Sequence, residues 1–230
     1  SFSPFFPKPS WQAIKDAPWD HQYAKLRDPA FRAKLLAEEP LTIFEDLQLL
    51  ADLLVNAFEM QYEMDPDFNY EPTPDVSIAA RAKARGMDPA AYAYEVMMRE
   101  QGSTFIYFPL LNYSDGNLDF LEPVLHSDDC VNSLSDGGAH CGTICDAAAP
   151  TFMLQHWVRD RARGRISLAQ AIKRQCRDTA ALYGLEDRGL LAPGYLADLN
   201  IIDLQGLRLE APWVAHDLPA GGKRLLQRAE

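Results

Sequence analysis

The chain has 230 residues, of which 47% are hydrophobic and 24% are charged, and its formal net charge is −11. This composition predicts a packed globular core and excludes a disordered chain. Because the net charge is negative and no run of Lys or Arg could follow a phosphate backbone, we expect no nucleic-acid partner. No apolar run approaches the ~20 residues that cross a bilayer, so we expect no membrane partner either.

The cysteines predict reduced thiols rather than a disulfide framework or a zinc ribbon. No two of them have C-x-x-C spacing, and a chain of this length can build a core without disulfides. The first residues also lack the charged-then-apolar order of a secretory signal. We therefore expect a cytoplasmic protein. The four cysteines are Cys130, Cys141, Cys145 and Cys176.

The first hundred residues are predicted to be mostly helical. A connector rich in Pro and aromatic residues covers 1–20, and the helical section extends over 20–100. Pro29 separates two short helices, because proline disfavours helical backbone in the residue before it. Asp88 as a cap and Pro89 at the first position predict the start of the last helix. The predicted helices cover 22–38, 42–60, 76–85 and 89–100.

Beyond residue 103 the pattern changes to alternating strands and helices. Apolar runs at 104–111 and at Val131–Leu134 predict strands, and a helical segment at 118–129 lies between them. This order and spacing predict a βαβ unit with parallel strands. Another helix is predicted over 152–163.

The last third of the chain begins with a helix and ends in strands. Ser167 with Gln170 forms a capping box for a helix over 168–183, which is predicted to stop at Gly184. After Gly189 the pattern predicts a small β appendage. Its three short strands are expected just before Leu204, over 207–212 and over 223–229.

One predicted strand is followed by a stretch that is suited to chemistry. Val131–Leu134 leads into Ser135, Asp136, Gly137 and Gly138. Reactive groups in parallel α/β folds lie just beyond the carboxyl ends of strands, and glycines without a Cβ let a substrate or metal approach the main chain. An aspartate there could move a proton between water and a leaving amine, or ligate a metal. Asp-Gly-Gly is also ordinary turn chemistry, so both interpretations stay open on these residues alone.

Three sequence elements, taken in order, resemble the amidohydrolase superfamily. They are SDGGAHCGTICDAAAPTFMLQHWVRDR, the helix IKRQCRDTAALYGLEDRG and the segment GLLAPGYLADLNIID. The SDGGAH element with the PTFMLQHWVRDR helix resembles the branch that contains the D-aminoacylases (N-acyl-D-amino-acid deacylases). The element from Gly189 to Leu199 is similar to the point at which such enzymes leave their barrel for a small β domain. The resemblance is best over residues 100–230.

The resemblance implies an α/β fold, the C-terminal portion of a metal-dependent hydrolase (β/α)8 barrel. The partial barrel would cover 1–188 with its helical insertion at 20–100, and strands of a small β-sandwich domain would cover 189–230. The implied reaction is hydrolysis of the amide bond of an N-acyl-D-amino acid. Asp136 would act as general base and acid beside zinc or a similar divalent metal, which it could also ligate. The implied substrate-binding residues are Ser135, Gly137 and His140.

The further metal ligands that the resemblance implies are missing from this sequence. Its five histidines form neither H-x-H nor H-E-x-x-H. We therefore expect that the chain binds no catalytic metal by itself, is inactive alone, and belongs with a missing N-terminal half of the enzyme. Exposed strand edges of the β domain would favour association, including a homo-oligomer.

Three alternatives to this interpretation stay open. The first is a non-catalytic subunit or binding module that uses the same scaffold. The second is a cyclic-amide hydrolase of the hydantoinase or dihydroorotase kind. The third is a nucleophilic hydrolase that uses Cys141 or Cys145 with a histidine base.

Several other polar residues have a predicted place. His156 is expected to pack in the core beside Phe152 and Trp157. Tyr107 and Asn112, at the end of the 104–111 strand, are candidates for substrate contact. Asp146 is a candidate for orienting groups near the site. The remaining histidines, His21, His126 and His216, are expected to be structural.

Four alternating arginines end the 152–163 helix. A solvated cationic end suits the helix dipole, and one of these side chains could instead bind a substrate carboxylate with two hydrogen bonds. They are Arg159, Arg161, Arg163 and Arg165.

Overall fold

The computed structural model forms two compact units, Ser1–Asn117 and Leu118–Glu230. Both contain helices and strands, which agrees with the α/β class, whereas the barrel and the boundary at 189 stay predictions. None of the helices in the described part of the chain has the length and apolar character that crossing a bilayer requires. The structure describes residues 3–43, 48–64, 69–132, 135, 142 and 146–229.

Local side chains set the helix starts in the first unit. The Asp28 carboxylate accepts a hydrogen bond from the Ala30 amide at 2.9 Å, and Pro29 occupies the first helical position. Asp88 caps the last helix through the Ala91 amide in the same way. The predicted break and cap are therefore confirmed. The helices are α1 (Pro9–Ile14), α2 (Trp19–Leu26), α3 (Pro29–Ala37), α4 (Gln48–Asn56), α5 (Ile78–Ala84) and α6 (Pro89–Met97).

One helix of the first unit is shorter than predicted. The pattern predicts a helix over 42–60, but α4 ends at Asn56 and a 3₁₀ turn covers Phe58–Met60. Thr42 and Glu45 form the sequence pattern of a capping box for this helix, but Glu45 lies outside the described residues.

A short antiparallel ribbon completes the first unit. β1 (Tyr62–Met64) pairs with β2 (Phe105–Tyr107), and Glu63 lies opposite Ile106. The 104–111 run therefore forms a strand as predicted, but only in part. The sequence pattern predicts no strand at β1, because a three-residue strand carries no period that a sequence could show.

The parallel pairing predicted for the 104–111 strand is not seen among the described residues. Its observed partner, β1, is antiparallel. Val131 and Asn132, at the start of the other predicted strand, have no regular structure, and residues 133–134 lie outside the described part. The pairing was decided by a segment about forty residues upstream, which the βαβ pattern does not take into account.

Buried aromatic and aliphatic side chains form the core of the first unit. Leu35, Ile78 and Val96 have no exposed surface, and the ring of Phe5 meets that of Tyr94 edge-on at 5.5 Å. The Tyr94 hydroxyl donates to the carbonyl of Leu26. Burial raises the pKa of Tyr94 to about 12, against the opposing charge of nearby Arg32.

The second unit begins with α7 (Leu121–His126) and then two longer helical stretches. α8 (Ala149–Phe152) continues as a π-helical segment, Met153–Asp160. α9 (Leu168–Lys173) continues through a second π-helical segment, Arg174–Asp178, into α10 (Thr179–Leu182). The helices predicted over 152–163 and 168–183 are therefore confirmed in position.

The predicted ends of the second helical stretch are confirmed as well. The Ser167 hydroxyl accepts a hydrogen bond from the Gln170 amide at 3.1 Å. At the other end Gly184 has a φ of 69°, and the Leu185 amide donates to the Ala180 carbonyl at 2.9 Å. This is the usual way in which a glycine ends a helix and satisfies its last carbonyls.

The chain ends in a β-hairpin rather than in the three predicted strands. β3 (Trp213–Leu218) pairs antiparallel with β4 (Gly222–Leu226), and β4 lies in the predicted strand 223–229. The predicted strand over 207–212 makes only one bridge, between Leu209 and Ala229. The residues before Leu204 form no strand, because no described segment pairs with them.

Candidate functional site

The candidate segment, residues 135–145, contains the predicted catalytic and substrate-binding residues. Of these residues the structure describes Ser135 and Gly142. Ser135 is half-buried and lies outside regular structure. Asp136, Gly137 and His140 lie outside the described residues, as do Cys141 and Cys145. Their roles stay predictions, and the described contacts are those that hold the chain before and after them.

The chain before the candidate segment is fixed by a buried arginine. Arg174 is only 4% exposed. Its Nη1 donates to the Ser127 carbonyl at 2.8 Å, and its Nη2 donates to the Cys130 carbonyl at 2.9 Å. One rigid guanidinium therefore holds two points of the chain that leads from α7 toward Asp136.

Neighbouring side chains on the same helix strengthen this attachment. The Gln170 amide donates to the Leu125 carbonyl at 3.0 Å and lies 3.1 Å from Nδ1 of His126. The Nζ of Lys173 lies 3.6 Å from Oδ1 of Asp128. The end of α7 and the turn after it are thus tied to one helix at several points.

The chain after the candidate segment is held by the same helix. The side-chain amide of Gln175 donates to the Pro150 carbonyl at 3.0 Å. Pro150 lies in the first turn of α8, five positions after residue 145, and residues 143–145 lie outside the described part. Two consecutive residues, Arg174 and Gln175, therefore hold both flanks of the candidate segment.

His156 lies in an aromatic cluster with Phe152 and Trp157, as predicted. This side chain is 8% exposed, stacks on Phe152 at 4.7 Å and meets the Trp157 ring edge-on at 6.1 Å. Leu154, Ile166 and Ala171 belong to the same buried cluster. The expectation that His156 packs in the core is confirmed.

Two of the four predicted arginines, Arg159 and Arg161, are structural anchors rather than part of a solvated cationic end, whereas Arg163 and Arg165 are exposed. Arg159 donates through Nη1 to the carbonyls of Leu204 and Leu207 at 2.6 and 2.7 Å. Its side chain also hydrogen-bonds the Asp160 carboxylate, which lowers the pKa of Asp160 despite an opposing effect of burial. Backbone carbonyls and a carboxylate thus occupy the guanidinium that could have bound a substrate.

Arg161 departs further from the predicted solvated cationic end, because it is only 4% exposed. Its guanidinium lies 4.4 Å from the Trp157 ring and donates to the carboxylate of Asp119. Arg163 pairs with the same carboxylate at 2.6 Å. Hydrogen bonds from Arg163 and Arg161 lower the pKa of Asp119, and they outweigh the opposing effect of desolvation. Arg165 donates to the carbonyl of Arg159 at 3.0 Å.

Two weaker candidates lie in the first unit. The Tyr107 hydroxyl lies 3.4 Å from the Tyr70 carbonyl, to which it donates, and the two rings meet edge-on at 5.4 Å. Asn112 is exposed and has a φ of 61°, a conformation that asparagine tolerates in turns. Neither geometry tests their predicted contact with a substrate.

The first unit also contains a buried charged cluster that the sequence pattern did not indicate. Glu63 accepts hydrogen bonds from the Tyr92 hydroxyl, from Arg99 at 2.6 Å and from Arg81 at 3.1 Å. Burial by itself would raise the pKa of Glu63, but these three donors outweigh it and hold the pKa below its usual value. A carboxylate with so many donors acts as a structural centre.

The residues described here do not form a metal centre. Within the described ranges no group of three or more His, Cys, Asp or Glu side chains comes together in a way that could hold an ion. His126 is exposed and contacts Gln170, and His21 and His216 are exposed. The described donor set therefore does not fit the divalent metal that the resemblance implies.

The most informative residues of this region were not singled out by their sequence. Arg174 and Gln175 occur in the helix IKRQCRDTAALYGLEDRG, for which the sequence predicts only the position and the two ends. A signal was present in part, because Arg174 lies three positions after Ala171 and so shares its face of the helix, and an arginine on a buried face must find a partner there. The partner carbonyls, however, are backbone groups about 45 residues earlier, and no side-chain pattern marks them.

Comparison with known proteins supports the second unit as part of a hydrolase. Residues 122–222 match the model of the amidohydrolase family. The match extends from α7 across the candidate segment to the hairpin, and it supports the amidohydrolase superfamily for this part of the chain. Members of this family are usually metal-dependent. No curated protein and no solved structure matched the chain.

Proposed function

We propose that the chain is the C-terminal part of a metal-dependent amidohydrolase that cleaves the amide bond of N-acyl-D-amino acids. The match to the amidohydrolase family over residues 122–222 is the observation that carries the amidohydrolase part of this proposal. It includes the SDGGAH element, whose resemblance is to the D-aminoacylase branch. A protein of this kind would be cytoplasmic and would act on a small-molecule substrate.

In the proposed reaction Asp136 moves one proton. The reaction adds water across the amide: the C–N bond breaks, the carbonyl carbon gains OH and the nitrogen gains H, and the resulting acid and amine ionise at neutral pH to a carboxylate and an ammonium group. The Asp136 carboxylate accepts a proton from the attacking water and returns it to the leaving nitrogen. Ser135, Gly137 and His140 would contact the substrate, and the missing Cβ of Gly137 would let it approach the main chain.

The metal is part of the proposal for the whole enzyme. We propose zinc or a similar divalent cation, with Asp136 as a possible ligand and further ligands from a part of the enzyme other than these residues. When bound, such a metal activates water and polarises a carbonyl oxygen. The described residues do not hold it, so the 230-residue chain is expected to need that further part, or another copy, for activity.

A substitution that preserves shape tests the role of Asp136. In the complete natural polypeptide that contains these residues, Asp136→Asn keeps the size of the side chain but removes the proton acceptor. We expect kcat for N-acetyl-D-amino acids to fall by about 10²–10⁴-fold, the usual contribution of general acid–base catalysis. Asp129→Asn is the matched control, because Asp129 is exposed and lies seven positions earlier in the same connection. It should leave kcat unchanged.

The substrate panel separates the competing functions. N-acetyl-L-amino acids and cyclic amides are assayed beside the D-substrates. Turnover of cyclic amides alone would replace the deacylase assignment with a hydantoinase-like one. No hydrolysis of any amide by a metal-loaded complete protein would favour the non-catalytic subunit. Activity of the 230-residue chain by itself would contradict the need for a further part.

A further inference from the structure

The flanks of the candidate segment are joined to a single point of one helix. Ser127 and Cys130 precede the segment and are held by Arg174, and Pro150 follows it and is held by Gln175. Cys130 and Pro150, which lie twenty positions apart in the sequence, are therefore both attached to this helix. Fixing both ends of a loop limits where its middle can lie, and this limit does not depend on how the middle itself folds.

The chemistry of Arg174 suits a role in fixing the chain. Removing a guanidinium from water costs several kcal/mol unless its donors are satisfied. Within the described residues no carboxylate pairs with Arg174, and the two carbonyls are its observed acceptors. Its Nε is buried with no partner in that part of the chain. Among the described residues these two hydrogen bonds offset the cost, so Arg174 holds the Ser127 and Cys130 carbonyls in place.

The helix is also irregular at this position. Arg174 begins the π-helical segment Arg174–Asp178, and the Thr179 hydroxyl donates to the Arg174 carbonyl at 2.8 Å. Single π-helical turns inside α-helices are rare, and those that do occur are often found at functional sites. The wider turn changes the directions in which consecutive side chains leave the helix. Arg174 and Gln175 are the two that reach opposite flanks of the segment.

We infer that Arg174 and Gln175 are positioning residues, which place the segment that carries Asp136 for its proton transfer. The inference rests on the proposed function for its catalytic consequence. Neither side chain is proposed to touch the reacting atoms. Their effect is transmitted through the Ser127, Cys130 and Pro150 carbonyls, so their loss changes the alignment of Asp136 rather than the binding of substrate.

Kinetics of Arg174→Gln in the complete natural polypeptide test the catalytic consequence. We expect kcat to fall by roughly 10–100-fold with KM nearly unchanged, because small misplacements of a catalytic group cost about this much. Gln175→Leu should lower kcat in the same way but less, since it releases one carbonyl. Arg174→Lys should recover part of the lost kcat, because it keeps the positive charge and can bind one carbonyl. The recovery should be incomplete, because an ammonium lacks the fixed fork that binds two carbonyls.

Arg177→Gln is the matched control for these variants. Arg177 is exposed and lies in the same π-helical segment. The same change of residue type there should leave kcat and KM at their wild-type values. A loss of kcat in the control equal to that in Arg174→Gln would overturn the inference, because the effect would then belong to the helix as a whole.

Hydrogen exchange measures the attachment without any need for activity. In the 230-residue chain, Arg174→Gln should speed amide exchange in peptides covering 127–132, while exchange in α6 stays unchanged. Unchanged exchange at 127–132 would overturn the inference whatever the kinetics show. If Asp136→Asn keeps full activity, the proposed function fails, and exchange still decides the attachment by itself. If Arg174→Gln does not fold, Arg174→Lys and Gln175→Leu provide the same two measurements.

Discussion

The buried carboxylate of Glu63 offers the sharpest test of how the first unit is stabilised. Its side chain is 6% exposed, and it accepts hydrogen bonds from Tyr92, Arg81 and Arg99. Glu63→Gln keeps the shape and still accepts from Tyr92, but it removes the negative charge that faces both arginines. The variant therefore isolates the charge from the packing.

The size of the effect follows from the exposure of the partners. Removing one partner of a fully buried ion pair costs about 3–5 kcal/mol, because the other charge is left buried and unpaired. The Arg81 and Arg99 side chains are 30% and 44% exposed, so water can solvate part of their charge in the variant. We therefore expect the free energy of unfolding to fall by about 2–3 kcal/mol, below the range for a fully buried pair.

The pH dependence of this difference has a defined sign. The pKa of Glu63 is lowered in the folded protein, so the folded state holds the ionised form more strongly than the unfolded chain does. This contribution is fully present above the unfolded pKa of about 4.3 and is lost as the pH falls through the folded pKa. The difference between wild type and variant should be largest at neutral pH and should shrink on acidification.

Urea unfolding of the 230-residue chain measures both quantities. Hydrogen exchange in peptides from β1 and α6 reports on the first unit at each urea concentration, at neutral pH and at several acidic pH values. Glu59→Gln is the matched control, because Glu59 is exposed and lies four positions earlier. A stability difference equal to that of the control, or one that grows as the pH falls, would refute the reasoning.

Two further predictions concern the second unit. Gly189→Ala should lower the free energy of unfolding by roughly 2–5 kcal/mol, because its φ of 84° disfavours a side chain and the new Cβ would meet the Cys176 carbonyl at 2.8 Å, whereas Gly194→Ala, with a φ of 89° and open space, should cost about 1–2 kcal/mol. Equal midpoints for these two variants in thermal unfolding would contradict the close contact at Gly189. Ser167→Ala should cost about 1 kcal/mol by removing the cap on the Gln170 amide, and it should raise exchange first at the start of α9. Uniform loss of protection along the whole helix would show that the cap does not act locally.

Helix boundaries could be predicted from the sequence because their causes are local. Asp28, Asp88 and Ser167 each accept a hydrogen bond from an amide two or three residues further on, and Gly184 ends its helix through its own φ. The groups that interact are therefore neighbours in the chain. A pattern of a few residues contains the whole interaction, so a reading of the sequence places it well.

Strand pairing could not be predicted in the same way. β2 was recognised as a strand, but its partner β1 lies about forty residues upstream and has only three residues. The segment before Leu204 has an apolar strand pattern, yet Ile201 is fully exposed because no described segment pairs with it. Whether an apolar run becomes a strand depends on a partner that its own residues do not specify.

For the candidate site too, local features follow from the sequence and long-range contacts follow from the tertiary structure. The sequence by itself determined that an aspartate follows a short apolar run and precedes glycines, within a stretch that the amidohydrolase family model matches. Only the tertiary structure decided that Arg174 and Gln175 hold the two ends of that stretch, and that Arg159 and Arg161 bind the protein itself. The physical reason is that these side chains bind mostly to backbone carbonyls. Every residue carries such a carbonyl, so the choice among them is made by the folded chain.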